Sequence, residues 1–254
     1  MTKTTMSSVA VSPPPYRINT MTLTAKSGLP RIDLDVLKTV SVGHDAGIAH
    51  VSFVSSDRTI VRRGNVIKKN GRRRTYSKRM FDNQATVVAH VPEREGYVNI
   101  KLFRNGQLQM TGARSVQEGK HAVTNVLGKM GHDASRVHDV NVRLMNSDFR
   151  LGYRVDRDKL YALVTDVLGL RCSYNPSVYL AVKTYYMFNE HGDGVCRGEC
   201  DGKKPGSCCK KITVFVFHTG AVIITGAVTV KQLEAAHSWI TGIARTHENS
   251  IRYL

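Results

Sequence analysis

Four of the five cysteines lie within fourteen positions, Cys196, Cys200, Cys208 and Cys209, in the order C-x3-C-x7-C-C, with His191 and His218 near by. Four thiolates in a Gly-rich loop can close a tetrahedral zinc site, and the ion would order a loop that has almost no apolar side chains. The spacing is not that of a zinc ribbon, and adjacent cysteines seldom both ligate one ion. Unligated thiols and a redox-dependent disulfide therefore stand beside zinc as readings. Cys172, alone after a helical stretch, reads as a small packed hydrophobe. Catalytic chemistry finds little footing: acidic residues are sparse, and neither G-x-x-x-x-G-K nor H-E-x-x-H occurs. Asp33/Asp35 and Asp156/Asp158 read as helix starts rather than paired acids. No enzyme activity is expected, and no cofactor beyond that zinc.

A second group of residues comes in duplicate. Ile100 to Ala113 (IKLFRNGQLQMTGA) and Val214 to Ala227 (VFVFHTGAVIITGA) match, at an offset of 114, at Phe103/Phe217, Gly106/Gly220, Thr111/Thr225, Gly112/Gly226 and Ala113/Ala227. This is an internal repeat. Each copy alternates, turns at a glycine and alternates again, the pattern of a β-hairpin. One face carries Ile100, Leu102, Leu108 and Met110, or Val214, Val216, Val222 and Ile224, which are ordinary core residues. The other carries Lys101, Phe103, Gln109 and Thr111, or Phe215, Phe217, Ile223 and Thr225. Helical periodicity follows each hairpin, over Ser115 to Met130 and Val230 to Thr246, and one helix covers only one side of a sheet. A partly apolar face left open points to a ligand surface; burial of both faces in a sandwich is the alternative.

The elements that position these hairpins also repeat. Tyr16 onward alternates like a strand, and Asp33 to Val40 has helical spacing; in the second half Val137 to Tyr153 reads as a strand and Asp156 to Leu168 as an amphipathic helix with Asp156 as N-cap. Gln84 to Val91 and Ser177 to Phe188 are the strands that lead into the hairpins. The order strand, helix, strand, strand, strand, helix occurs twice, which divides the chain near residue 131 into halves 16–131 and 132–254. Residues 1–15, rich in Ser, Thr and Pro, read as a disordered tail.

The 254-residue chain carries a formal charge of +17 and a pI near 9.9, which makes nucleic acid or another anionic surface the expected partner. Ten of the basic residues fall between Arg58 and Arg79 with no acidic one among them, an insert of the first half (58–79) read as a phosphate-contacting arm or an import signal rather than a solvated loop. The cysteine-rich stretch is the matching insert of the second half (191–211). The longest apolar run, Ile212 to Val228, is interrupted by His218, Thr219 and Gly220 and is shorter than the ~20 residues of a membrane helix. Clustered cysteines without a secretory leader fit a reducing, intracellular setting.

Taken together, the two hairpins ending in TGA and the Tyr174–Tyr179 segment YNPSVY resemble the TATA-box-binding protein (TBP) family, and more closely its divergent relatives in large DNA viruses, over roughly residues 16 to 254. The resemblance implies an α+β saddle: two pseudo-symmetric repeats in one curved antiparallel sheet, helices on the convex side and duplex DNA under the concave side. It implies a transcription initiation factor acting in the nucleus, at a cytoplasmic viral replication site or in the virion. Two aromatic wedges per half belong to that family. Phe103 and Phe217 match one pair, Tyr179 stands at the second-half partner, and Phe81 is the first-half candidate where NQATVV offers no aromatic. The family's central asparagines are matched by Asn19 and Asn141, whose amides could donate to the minor-groove acceptors of either A·T orientation.

Departures from the family accompany these matches. Lys101, Gln109 and Arg143 replace apolar groove-floor residues, whereas Phe215 and Ile223 keep that type, with Thr111 and Thr225 beside them. The first half is thus expected to rely more on charge and the second on apolar contact with an A·T-rich groove. Asn175 and Ser177 stand where the family has acidic residues for transcription factor IIB, so docking of a factor IIB-like protein or RNA polymerase is expected to differ. An adaptor that has lost DNA, or an enzyme built on the same half-domain as some nucleases and glycosylases, are the competing functions.

Overall fold

The computed structural model describes residues 13–66, 80–92, 94–189, 192–196 and 209–253. The chain forms two compact units, a first of Ile18–Asn146 and a second of Ser147–Leu254 together with the chain up to Arg17. In the first, antiparallel strands run in the order β3 (Ile60–Gly64), β2 (Ile48–Val54), β4 (Gln84–His90), β5 (Tyr97–Phe103), β6 (Gln107–Ala113), β1 (Arg17–Lys26) and β7 (His138–Arg150). The second continues from the end of β7 through β11 (Ala221–Ala227), β10 (Lys210–Phe217), β9 (Tyr179–Phe188) and β8 (Cys172–Asn175). Among the described residues no helix is long and apolar enough to cross a membrane.

Both hairpins form as the alternation demands. Ile100, Leu102, Leu108 and Met110 are buried under α1 (Val116–Lys129), and Val214, Val216, Val222 and Ile224 under α3 (Val230–Thr246). Burying a side chain of this size contributes about 1.5–3 kcal/mol, so these two rows and the apolar faces of the helices anchor each unit. The helix starts repeat as well. Ser115 Oγ accepts from Glu118 N at 3.0 Å and the Glu118 carboxylate accepts from Arg114 N at 2.9 Å; Thr229 and Gln232 do the same at 3.2 and 2.9 Å, the latter toward Val228 N. Each hydroxyl cap is worth about 1 kcal/mol.

The hairpin glycines are fixed by what crosses them. Gly106 and Gly220 have φ of +82° and +74°, and a Cβ would meet the carbonyl oxygen of Leu29 at 2.3 Å or of Tyr153 at 2.0 Å. The chain can pass this close only where no side chain stands. In return Ser27 N donates to Gly106 O, and Leu151 N to Gly220 O, both at 2.9 Å.

Several elements depart from the sequence reading. The helix expected over Asp33 to Val40 is a short 3₁₀ turn, Leu34–Lys38, started by Asp33 accepting from Asp35 N. That expected over Asp156 to Leu168 is one regular segment, α2 (Arg157–Ala162), and then a wider π turn over Leu163–Val167; its predicted N-cap holds, with Asp156 accepting from Asp158 N and Lys159 N. A short terminal helix, α4 (Glu248–Ile251), follows α3. Part of the basic run is strand β3, and Arg63 in it is no free arm: its guanidinium donates to the carbonyls of Leu37, Lys38 and Val40 at 2.7–3.1 Å, closing the 3₁₀ turn. The rest of that run, 67–79, and residues 1–12 of the expected tail lie outside the described residues.

The tail's last residues are held, not loose. His237, 5% exposed on α3, donates from Nε2 to the Pro14 carbonyl at 2.8 Å and packs between Tyr16 and Phe149, with ring centroids 5.1 and 4.6 Å away. Burial holds its pKa below the usual 6.5, against the opposing pull of the Pro14 carbonyl. Unfolded chain therefore takes up the proton first as pH falls, so this docking is at full strength above pH 6.5 and weakens below it. The protection factors of the Tyr16 and Arg17 amides, taken relative to intrinsic exchange at each pH, should fall as pH drops from 7.5 to 5.5, and His237→Leu should flatten that dependence.

Candidate nucleic-acid interface

The face of each unit away from its helix can be assembled from strand register. In the second unit Phe215 pairs with Ile223 on one side and Lys183 on the other, and Thr213 with Thr225 and Tyr185. Phe217, two residues on, shares this face. Tyr179 begins β9 at 48% exposure, and its ring lies 5.4 Å from that of Phe215 and 6.0 Å from that of Phe217, edge-on to both. Tyr179, Phe215 and Phe217 thus form one aromatic cluster, half-exposed, with Ile223 beside it. Among the described residues no helix lies over it: α3 takes the opposite faces of β9, β10 and β11.

The first unit presents a different chemistry at the same positions. Lys101 pairs with Gln109 and with Thr86, Asn99 with Thr111, and Phe103 with Gln84. β1 adds Thr22 opposite Thr111 and Thr24 opposite Gln109. The surface is amide, hydroxyl and ammonium with one half-buried phenylalanine, Phe103. Phe81 sits in the turn before β4, 66% exposed, its carbonyl accepting from Gln84 N.

This face is also narrower than expected. β2 is buried along its whole length, and Val66, just past β3, packs with Ala49, Val88 and the partly buried Tyr97. Val88 lies on the Lys101 side of β4, since it pairs with Asn99. The chain after β3 therefore closes the outer part of the face that the sequence reading left open. Here a local apolar contact, not a helix, does the covering.

One expected groove residue is misplaced. The register from β1 to β6 steps from Met21–Ala113 to Thr22–Thr111, so Gly112 is the extra residue and β1 itself alternates without a break. Asn19 then shares the side of buried Met21, Leu23 and Ala25, while Thr20, Thr22 and Thr24 line the other. Asn141 is exposed near the start of β7, two residues before Arg143, and its amide donates to the Asp139 carbonyl at 2.8 Å. The amide that does reach the threonine row is Asn146, donating to Thr20 Oγ1 at 3.1 Å. Arg143 joins the row, its Nε 2.9 Å from Thr24 Oγ1.

No family profile matches the chain. It is 28% identical, over 258 aligned residues covering 94% of its length and 67% of the relative's, to a TATA-box-binding protein-like protein of Acanthamoeba polyphaga mimivirus. Its fold is similar to that of Methanococcus jannaschii TBP, with a TM-score of 0.54 at 15% identity, covering 92% of this chain and 99% of the other. In sequence the chain is thus similar to a TBP-like protein, and in fold to TBP. A TBP-like α+β architecture accounts for the doubled order of elements and for the antiparallel sheet with helices packed on its strands.

The remaining candidates divide by location. Cys196 and Cys209 are described; Cys209 is buried, and Asn189 Nδ2 approaches its Sγ at 3.6 Å. Cys200, Cys208 and His191 lie outside the described residues. His218 is committed elsewhere, its Nδ1 donating to the Val155 carbonyl at 3.0 Å and its ring 4.8 Å from that of Tyr253. The intermediate burial of Cys172 pushes its thiol up to about 11, by desolvation, in keeping with a packed residue. The carboxylates at the two helix starts serve as caps: besides Asp33 and Asp156, Asp35 accepts from Ser56 N and pairs with Lys38 at 3.1 Å. Those hydrogen bonds hold its pKa below the ordinary range.

Sequence reading passed over Lys183, Tyr185 and Lys211 on the second unit's face, although counting by twos from Tyr179 and from Phe217 reaches all three. Val66 is the contact that most distinguishes the first unit's face. Val66→Ala should cost about 1–2 kcal/mol in urea unfolding and raise hydrogen exchange along β2 and β4, while leaving Tyr179 and Phe215 undisturbed.

Proposed function

We propose that this chain is a non-enzymatic transcription initiation factor of the TBP type, which binds duplex DNA through the minor groove and bends it with aromatic wedges. The observation that carries the reading is the Tyr179–Phe215–Phe217 cluster, half-exposed on a sheet face that no described helix of its unit covers. Rings so placed can enter between base pairs, and Ile223 and Thr225 supply the small, uncharged neighbours that a groove floor needs. Minor-groove kinking by TBP is the standard instance of this mechanism, and the unstacking cost of a few kcal/mol per step is a general figure.

In this reading the halves differ in role. The second wedges an A·T-rich step, where the groove floor offers only acceptors. The first, with Lys101, Gln109, Arg143, the threonine row and Asn146, makes polar and charge-assisted contacts around Phe103 and Phe81. Net charge of +17 adds a backbone term that depends steeply on salt. A transcription factor IIB-like protein or RNA polymerase is the implied partner. At the β8–β9 turn the exposed Val178 and Leu180, 80% and 63% accessible, favour an apolar docking contact over the family's acidic one.

The test is a bending assay, with end-to-end energy transfer across a 25-base-pair duplex carrying a TATA element or its scramble. Phe217→Ala should abolish most of the bend and weaken binding about 10–100-fold. An unaltered bend in that variant removes the wedge. Equal wild-type affinity for the two sequences, with a steep salt slope, leaves backbone binding alone.

A further inference from the structure

On the second unit's uncovered face, next to the aromatic cluster, three further side chains converge. Lys183 is paired beside Phe215 and Tyr185 beside Thr213, while Lys211 lies two residues before Thr213 on β10. Alternation places all three on the face of Phe215 and Phe217. The ammonium groups of Lys183 and Lys211 each lie 5.3 Å from the centre of the Tyr185 ring, a distance at which the ring's quadrupole attracts them. Among the described residues neither ammonium has a carboxylate within ion-pair distance. Two like charges gathered at one ring repel each other, and an arriving anion relieves that repulsion.

The first unit shows what this location becomes without such a role. Phe103 pairs with Gln84 as Phe217 pairs with Ala181, so Lys183 and Tyr185 answer to Thr86 and Val88. The 114-residue offset takes Lys211 to Tyr97. There Val88 and Tyr97 are packed under Val66. One copy of the location is sealed with apolar contacts; the other is half-exposed and doubly cationic.

We propose that Lys183 and Lys211, held in place by Tyr185, form a clamp for the phosphodiester backbone of the duplex whose groove takes Tyr179, Phe215 and Phe217. Tyr185 is a positioning residue: it sets where the two charges stand. Because the clamp exists in one unit only, it grips one side of the wedged step and not its pseudo-symmetric counterpart. The inference rests on the proposed duplex binding.

Binding of a mixed-sequence 25-base-pair duplex, measured between 50 and 200 mM salt, tests it. Lys183→Gln/Lys211→Gln keeps both stems and removes both charges. Its slope of log affinity against log salt should be shallower than wild type by about 1.8, so wild type should lose about 12-fold more affinity than the variant across that range. Lys120→Gln/Lys231→Gln, on α1 and α3, removes equal charge from the helices and should leave the slope at the wild-type value. Tyr185→Phe should bind as wild type, whereas Tyr185→Leu should bind several-fold more weakly with both charges still present; thermal melts of every variant confirm folding. If wild type binds no duplex, the proposed function and the clamp fall together. If wild type binds in a Phe217-dependent way but the Lys183/Lys211 variant keeps the full slope, or Tyr185→Leu binds normally, the clamp alone is overturned.

Discussion

Everything in this molecule follows from covering a sheet on one side only. In an antiparallel strand the side chains alternate, so a helix that buries Ile100, Leu102, Leu108 and Met110 necessarily leaves Lys101, Phe103, Gln109 and Thr111 turned the other way. Stability and recognition are thereby assigned to different residues of the same strand. Each unit draws its cohesion from the α1 or α3 side, with its repeated hydroxyl cap and the close crossing at Gly106 or Gly220. The opposite side is released from the need to be apolar, and so it is free to diverge.

Divergence has gone in opposite directions in the two copies. Where the second unit has Phe215 and Ile223 in register, the first has Lys101 and Gln109; where the second leaves Tyr185 and two lysines open, the first has tucked Val88 and Tyr97 beneath Val66. The buried faces show no such contrast, since both are rows of Val, Ile, Leu and Met. A shared packing constraint with an unshared surface is what duplication followed by specialisation of one binding face would leave behind, and it fits a ligand whose two halves need not be met alike.

Much of this was legible in the order of residues. The hairpins, the helices after them and their caps are encoded locally, by period-two alternation passing into a 3.6-residue period after Ser115 and Thr229. Phe215 and Phe217 could be placed on one face by counting; Tyr179 came from the family resemblance, and the register of β9 on β10 sets it beside them. What could not be read depended on registers across the chain. β2 and β3 were hidden because β3 lies in a run of arginines that looks like a solvated loop, and its role emerges only when Arg63 reaches three carbonyls 23 to 26 residues earlier. Asn19 failed by a single position, and in a strand a one-residue slip reverses the face. Asn146 was the amide to choose, and the buried Met145 and Ser147 on either side of it are the signal that it points away from the core.

The same constraint bears on how such a surface could distort a duplex. Intercalating a ring costs a few kcal/mol of stacking for each step, and the return comes from area brought into contact once the groove opens. The second unit offers that area in apolar form around Tyr179, Phe215 and Phe217. The first offers little: its floor is hydroxyl and amide, groups that must exchange water for base edges or phosphates at nearly even free energy. A duplex-binding protein with this division would recover the difference from counterion release, and a net charge of +17 is in keeping with that. In the proposed function, bending by the aromatic half and retention by charge are then distinct quantities, the first set by ring geometry on β9 and β10, the second by ionic strength.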